Sequence, residues 1–156
     1  MSFFYGYHHP LSQWYYSDFE IGKITFNCCE QWMMYSKAIL FKDEEKARQI
    51  LEESRANIQR KLGRQIRYFK NDIWVNQREE IIYQGNLAKF SQNAELKKYL
   101  LDTGDNFLAE ASPTDLIWGI GLAEEDDKRF DQKNWTGKNL LGKLLMEVRA
   151  TLANRL

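Results

Sequence analysis

The segment FNCCEQWMMYSKAILF, residues 26–41, is apolar almost throughout yet carries one acid and one amine. Read as a helix, it places Glu30 and Lys37 seven residues apart, about 700° of rotation, so they share a face to within roughly 20°. Met33, Met34 and Phe41 lie on that face, and Trp32, Tyr35 and Ile39 lie opposite. A helix that is apolar nearly all round is a buried helix. Buried charges are rare unless paired or put to use. The chain must therefore fold around this helix and accommodate both charges.

The two backbones are about 10.5 Å apart along the axis, long for an ion pair. Helical side chains lean toward the N-terminus, which brings Lys37 back toward the middle of its face. Two readings stay open. One is a stretched ion pair or a snorkelling lysine. The other is a small site in which a desolvated amine is the nucleophile, since the neutral form makes Schiff bases.

At 156 residues the chain is long enough for one domain, 1–156, with a real core. FEIGKITF (19–26) reads as a hairpin around Gly22-Lys23. Helices follow over 43–54 with Asp43 as N-cap, over 55–63 ended by Gly63, over roughly 74–91, and over 93–101. NFLAEAS (106–112) is the best internal strand, Pro113 breaks the pattern, and 124–134 reads as a solvated loop. The last helix, about 138–153, carries the stripe Leu140, Leu141, Leu144, Leu145, Val148 and Leu152. The architecture predicted is α+β, mostly α-helical.

With 22 basic and 22 acidic residues, net charge is zero and no global polyanion signature exists. Locally, residues 55–70 hold Arg55, Arg60, Lys61, Arg64, Arg67 and Lys70 with no acid, interleaved with Tyr68 and Phe69. Such a run fits either a solvated helix or a nucleic-acid contact. The adjacent cysteines Cys28 and Cys29 are poorly placed for an ordinary disulfide, and no metal-ligand spacing is present. No signal-peptide pattern or membrane-length apolar segment occurs, so the expectation is a cytoplasmic protein without a membrane partner.

Two further stretches can carry chemistry. In SPTDLIWGIG, Asp115 precedes Trp118, Gly119 and Gly121, where backbone N–H groups can be shared with a ligand; a turn residue is the plainer reading. In WTGKNLLG (135–142), Thr136, Gly137 and Asn139 open the last helix, where outward N–H groups make an anion site; an ordinary helix start is the plainer reading. No Ser/His/Asp triad, Walker loop or HExxH is present.

LSQWY (11–15), EQWMMYSKA (30–38), Gly63-Arg64 with Trp74 ten residues on, YQGNLAKFSQN (83–93), LAEASPTDLIWGIG (108–121) and WTGKNLLGKLLMEVR (135–149) follow one another in the order of the NADAR or YbiA-like family. The resemblance covers almost the whole chain. It implies a compact, mostly helical α+β domain that breaks N-glycosidic bonds without metal or cofactor. The substrate implied is ADP-ribosylated guanine in a nucleotide or nucleic acid, or else an early riboflavin-pathway ribosyl intermediate; a non-catalytic ADP-ribose reader is the rival. By resemblance the catalytic acids fall on Glu30 and Asp115, the Schiff-base lysine on Lys37 and the functional tryptophan on Trp74. Trp118, Gly119, Gly121 and Asn139 join them as substrate-binding positions. Ser12 and Gln13 do so where many members read Phe-Ser-Asn-Phe against Leu11-Ser12-Gln13-Trp14, and Cys28-Cys29-Glu30-Gln31 replaces Thr-x-Glu-His. Both departures bear on the substrate. A direct attack by water, activated by the two carboxylates, is the alternative to the covalent route.

Overall fold

The computed structural model describes residues 1–155, and its chain divides into two compact units, one of residues 16–92 and one of 1–15 with 93–155. The first is built on the helix of the apolar segment. A short hairpin precedes it: strands Phe19–Ile21 (β2) and Ile24–Phe26 (β3) pair antiparallel, turned by Gly22 at φ 58° and Lys23 at φ 67°. Two consecutive left-handed residues are what a two-residue turn needs to match strand twist. The buried rings of Phe19 and Phe26 stack at 5.9 Å and pack with Cys29, Trp32 and Tyr35.

Helix α1, Cys29–Leu40, is shorter at both ends than the apolar segment and packs against α2 (Glu44–Glu52), α3 (Ala56–Gly63) and α4 (Asn71–Gln92). Its contacts on three sides explain its nearly all-round apolar character; Ile39, 46% exposed, is the exception. Asp43 caps α2 as expected, accepting from the Lys46 N–H at 3.2 Å. Gly63 is glycine for packing rather than for a left-handed turn. A Cβ there would stand 1.8 Å from the Met34 sulfur. Gly85 likewise gives way to Trp32, whose indole N–H donates to the Ile81 carbonyl at 2.7 Å.

In the other unit, strand Ser2–Phe4 (β1) pairs in parallel with Leu108–Glu110 (β4), inside the stretch expected to be extended. Helix α6, Leu140–Ala153, lies on β4, and α5, Ala94–Asp102, packs on α6. Gly142 lets α6 approach, since a Cβ there would meet the Leu108 carbonyl at 2.1 Å. The solvated loop of 124–134 contains two 3₁₀ turns, Asp127–Phe130 and Gln132–Asn134. Among the described residues no helix is long and apolar enough to cross a membrane.

Candidate active site

Lys37 sits in the last turn of α1, half-buried. Its Nζ donates to the Gly63 carbonyl at 3.0 Å and lies 4.6 Å from the centre of the Phe69 ring and 5.7 Å from that of Trp74. Burial holds its pKa below the ordinary lysine value; Glu30 opposes this and Arg64 adds to it. Glu30, in the first turn of α1, is 4% exposed. The acid thus acts on the amine along one helix, and Trp74 joins them from α4, itself only 8% exposed. A lysine fixed at one hydrogen bond, under aromatic rings and depleted of water, is a better nucleophile near neutral pH than a solvated one.

The remaining candidates fall in the other unit. Asp115 is a turn residue in its geometry: its Oδ1 accepts from the Ile117 N–H at 3.0 Å and the Trp118 N–H at 2.9 Å, and its own N–H donates to Ser112 Oγ at 3.0 Å. One carboxylate oxygen is therefore occupied locally. Ser12 Oγ accepts from the Trp14 N–H at 3.1 Å, and Ser12 and Gln13 are both buried.

The expected phosphate cradle is not what the backbone presents. The N–H groups of Gly137, Lys138, Asn139, Leu140 and Leu141 donate to the carbonyls of Ile120, Leu116, Gly119, Ile117 and Trp118, at 2.9–3.2 Å. The Gly119 N–H donates to the Asp115 carbonyl at 3.2 Å. Of the donors expected to face an anion, those of Gly119, Gly137 and Asn139 are thus spent inside the chain. Asn139 is a structural residue here. At φ 52° it turns the chain into α6, and its side chain receives the Glu110 N–H and donates to the Leu108 carbonyl, both at 3.0 Å. Gly121, at φ 80°, is required by Thr136, whose Oγ1 would lie 2.1 Å from a Cβ.

Sequence reasoning did not single out Lys89, fully buried on α4, where burial pushes its pKa down to about 8 against the pull of the neighbouring Cys29 and Cys28 sulfurs. Nor did it give Phe69 or Gly63 a part at Lys37. The spacing Trp74, Arg78, Ile82, Asn86, Lys89, nearly one helical stripe, was the available signal for Lys89.

The fold is that of YbiA. The solution structure of the Escherichia coli protein YbiA superposes with a TM-score of 0.82 at 27% identity, over 99% of this chain and 85% of that one. The NADAR domain model matches residues 3–153, and the chain belongs to the NADAR domain family. It is 41% identical to N-glycosidase R617 of Acanthamoeba polyphaga mimivirus, across 90% of this chain and 86% of that protein. It is 41% identical to Protein irg-1 of Caenorhabditis elegans, across 85% of this chain and 63% of that longer protein. N-glycosidase YbiA of Escherichia coli is 33% identical over 76% of this chain and 68% of its own length.

Proposed function

We propose that this chain is an N-glycosidase that releases guanine from its bond to ADP-ribose, with Lys37 as the nucleophile. The observation that carries the reading is the Lys37 amine itself, held by the Gly63 carbonyl near two aromatic rings and opposite in sign to a buried glutamate on the same helix. Relatives named N-glycosidases support the reaction class.

In this reading the Nζ lone pair forms a bond to the ribose anomeric carbon while the carbon–base bond breaks, its electron pair leaving with the base, which takes a proton. Nζ gives up a proton, for which Glu30 is the acceptor on the same helix face. The ring then opens: the anomeric carbon–ring oxygen pair moves to oxygen, which is protonated, and an imine to Lys37 remains. Water adds to the imine and frees the lysine and the sugar. Asp115 is the second acid of the reading, with one oxygen left for the reaction after the turn has used the other. Trp74 packs the amine more than it offers a stacking face, being largely buried.

A phosphate-bearing ligand finds exposed cations at Arg60, Lys61, Arg64, Arg67 and Lys70, close in sequence to the exposed rings of Tyr68 and Phe69. This supports a nucleic-acid form of the substrate. The deciding experiment is turnover on an ADP-ribosylated guanine oligonucleotide beside a riboflavin-pathway ribosyl intermediate. Base release from the first and not the second is the expected result; the reverse transfers the reading to the pathway intermediate. Release from neither leaves the chain a binding module.

A further inference from the structure

The buried carboxylate of Asp43 does two jobs. Besides capping α2 it accepts the backbone N–H of Arg67 at 2.9 Å, with the Arg67 guanidinium at 3.2 Å. The carboxylate is 1% exposed and the guanidinium side chain 61% exposed, so the backbone bond is the firm one. Arg67 is followed by Tyr68 at φ 64°, a conformation that a bulky residue adopts only where its surroundings impose it. The reversal leaves Tyr68 69% exposed and lays Phe69 against the end of α1. There the Phe69 ring meets Phe41 edge-on at 5.2 Å and covers the Lys37 amine at 4.6 Å. The same corner is tied at its other side by the Asp43 N–H, which donates to the Ala38 carbonyl at 2.9 Å, with Lys42 at φ 60° making the bend.

We infer that Phe69 is a cover over Lys37 and Asp43 the latch that holds it, so that an α2 cap residue sets the reactivity of an amine on α1. Both are positioning residues. The charged groups acting on the amine are Glu30 from α1 and Arg64 from the end of α3, and neither belongs to the cover. The ring has two opposed effects on the ammonium: its face attracts the charge, and its bulk excludes the water that would solvate it. Burial is the largest influence holding the Lys37 pKa down, and the ring that covers the amine is part of what buries it. Loss of the ring therefore moves the amine toward an ordinary lysine.

The effect on base release rests on the proposed role of Lys37, whereas the effect on the amine does not. The test is trace labelling of the whole protein with acetic anhydride across pH, with mass spectrometry of the Lys37 peptide. Its readout is the pH of half-maximal labelling, which access alone does not shift. Phe69→Ala is expected to raise that midpoint, each unit cutting the neutral amine at lower pH by about tenfold. Phe69→Leu, which keeps an apolar cover without the aromatic face, is expected to leave it low. Asp43→Ser keeps a capping oxygen for α2 but is too short for Arg67, and is expected to raise the midpoint as Phe69→Ala does. In the double variant the second change is expected to add nothing. An unmoved midpoint in Phe69→Ala overturns the cover, and additive shifts in the double variant overturn the latch. If the midpoints move as expected but no variant or wild type releases base, the proposed reaction fails and the device stands.

Discussion

At the scale of single residues, Lys37 and Asp115 ask for different substitutions because they are held differently. Lys37→Ala is expected to abolish base release while ligand binding stays measurable, since the amine's one hydrogen bond goes to a carbonyl that Arg64 and its neighbours already fix by backbone bonds. Lys37→Arg is expected to be equally inactive, because a guanidinium stays protonated and forms no imine. Borohydride reduction with substrate should leave sugar mass on the Lys37 peptide; an adduct on another lysine moves the nucleophile there. For Asp115 the turn must be separated from the chemistry. Asp115→Asn keeps an oxygen for the Ile117 and Trp118 N–H groups, so its melting temperature should match wild type while turnover falls. Asp115→Ala should lose both turnover and roughly 0.5–2 kcal/mol of stability, from capped N–H groups left without their acceptor. Full activity in Asp115→Asn returns the residue to the turn alone. The helix face shared by Glu30 and Lys37 was legible in the sequence because it depends only on helical period. The ring above the amine was not, since the Tyr68 reversal that delivers Phe69 depends on the bond of Arg67 to a carboxylate 24 positions before it.

At the scale of elements, the start of α1 and the last turn of α4 bring three unusual titrating groups together. Both thiols are buried and free; Cys28 bonds to Gln59 at 3.2 Å and Cys29 to Asn86 at 3.6 Å. Burial pushes Cys28 up to about 12 and Cys29 to about 11 from an unfolded value of 9.0, while Lys89 is pushed down to about 8 from 10.5. Between pH 8 and 10.5 the unfolded chain holds a proton on Lys89 that the folded chain has lost, so this lysine makes stability rise with pH. Above pH 9 the unfolded thiols lose protons that the folded ones keep, so the cysteines make it fall. Two thiols outweigh one amine, and these groups together put a stability maximum near pH 9. Urea midpoints measured from pH 8 to 10.5 should turn down in wild type and keep rising in a Cys28→Ala, Cys29→Ala variant. Identical slopes in the two proteins refute the assignment. These same elements show where sequence reading stops. Helix α6 declared itself through a leucine stripe, but the buried side of α4 includes Arg78, Asn86 and Lys89, so polarity hid which face is inside. The opening of α6 kept two readings open for a related reason: which N–H groups of a helix start stay open depends on the 116–120 carbonyls, which no local pattern reveals.

At the scale of the whole molecule the net charge is zero, so long-range attraction of a polyanion has no global source and any affinity must come from a local surface. The acid-free run 55–70 is such a surface: Arg60, Lys61, Arg64, Arg67 and Lys70 are all exposed, although Arg67 also serves Asp43 and Arg64 acts on Lys37. Lys61 and Lys70 have neither duty, which makes them the clean probes. If single-stranded substrate lies along this run, the logarithm of its affinity should fall linearly with the logarithm of salt, by roughly 0.7 per phosphate contact. Lys61→Ala with Lys70→Ala should flatten that slope by about 1.4 and weaken binding for every sequence alike. Tyr68→Ala should weaken binding at all salt concentrations, by roughly 1–3 kcal/mol if a base stacks on the ring, without changing the slope. A free ADP-ribosylated guanine nucleotide reaches Lys37 without that run, so its turnover should be the same in all three proteins. Equal losses on the nucleotide and the oligonucleotide would mean that the basic run supports the fold or the amine rather than a strand. An oligonucleotide affinity indifferent to salt would return residues 55–70 to the role of a solvated helix and loop.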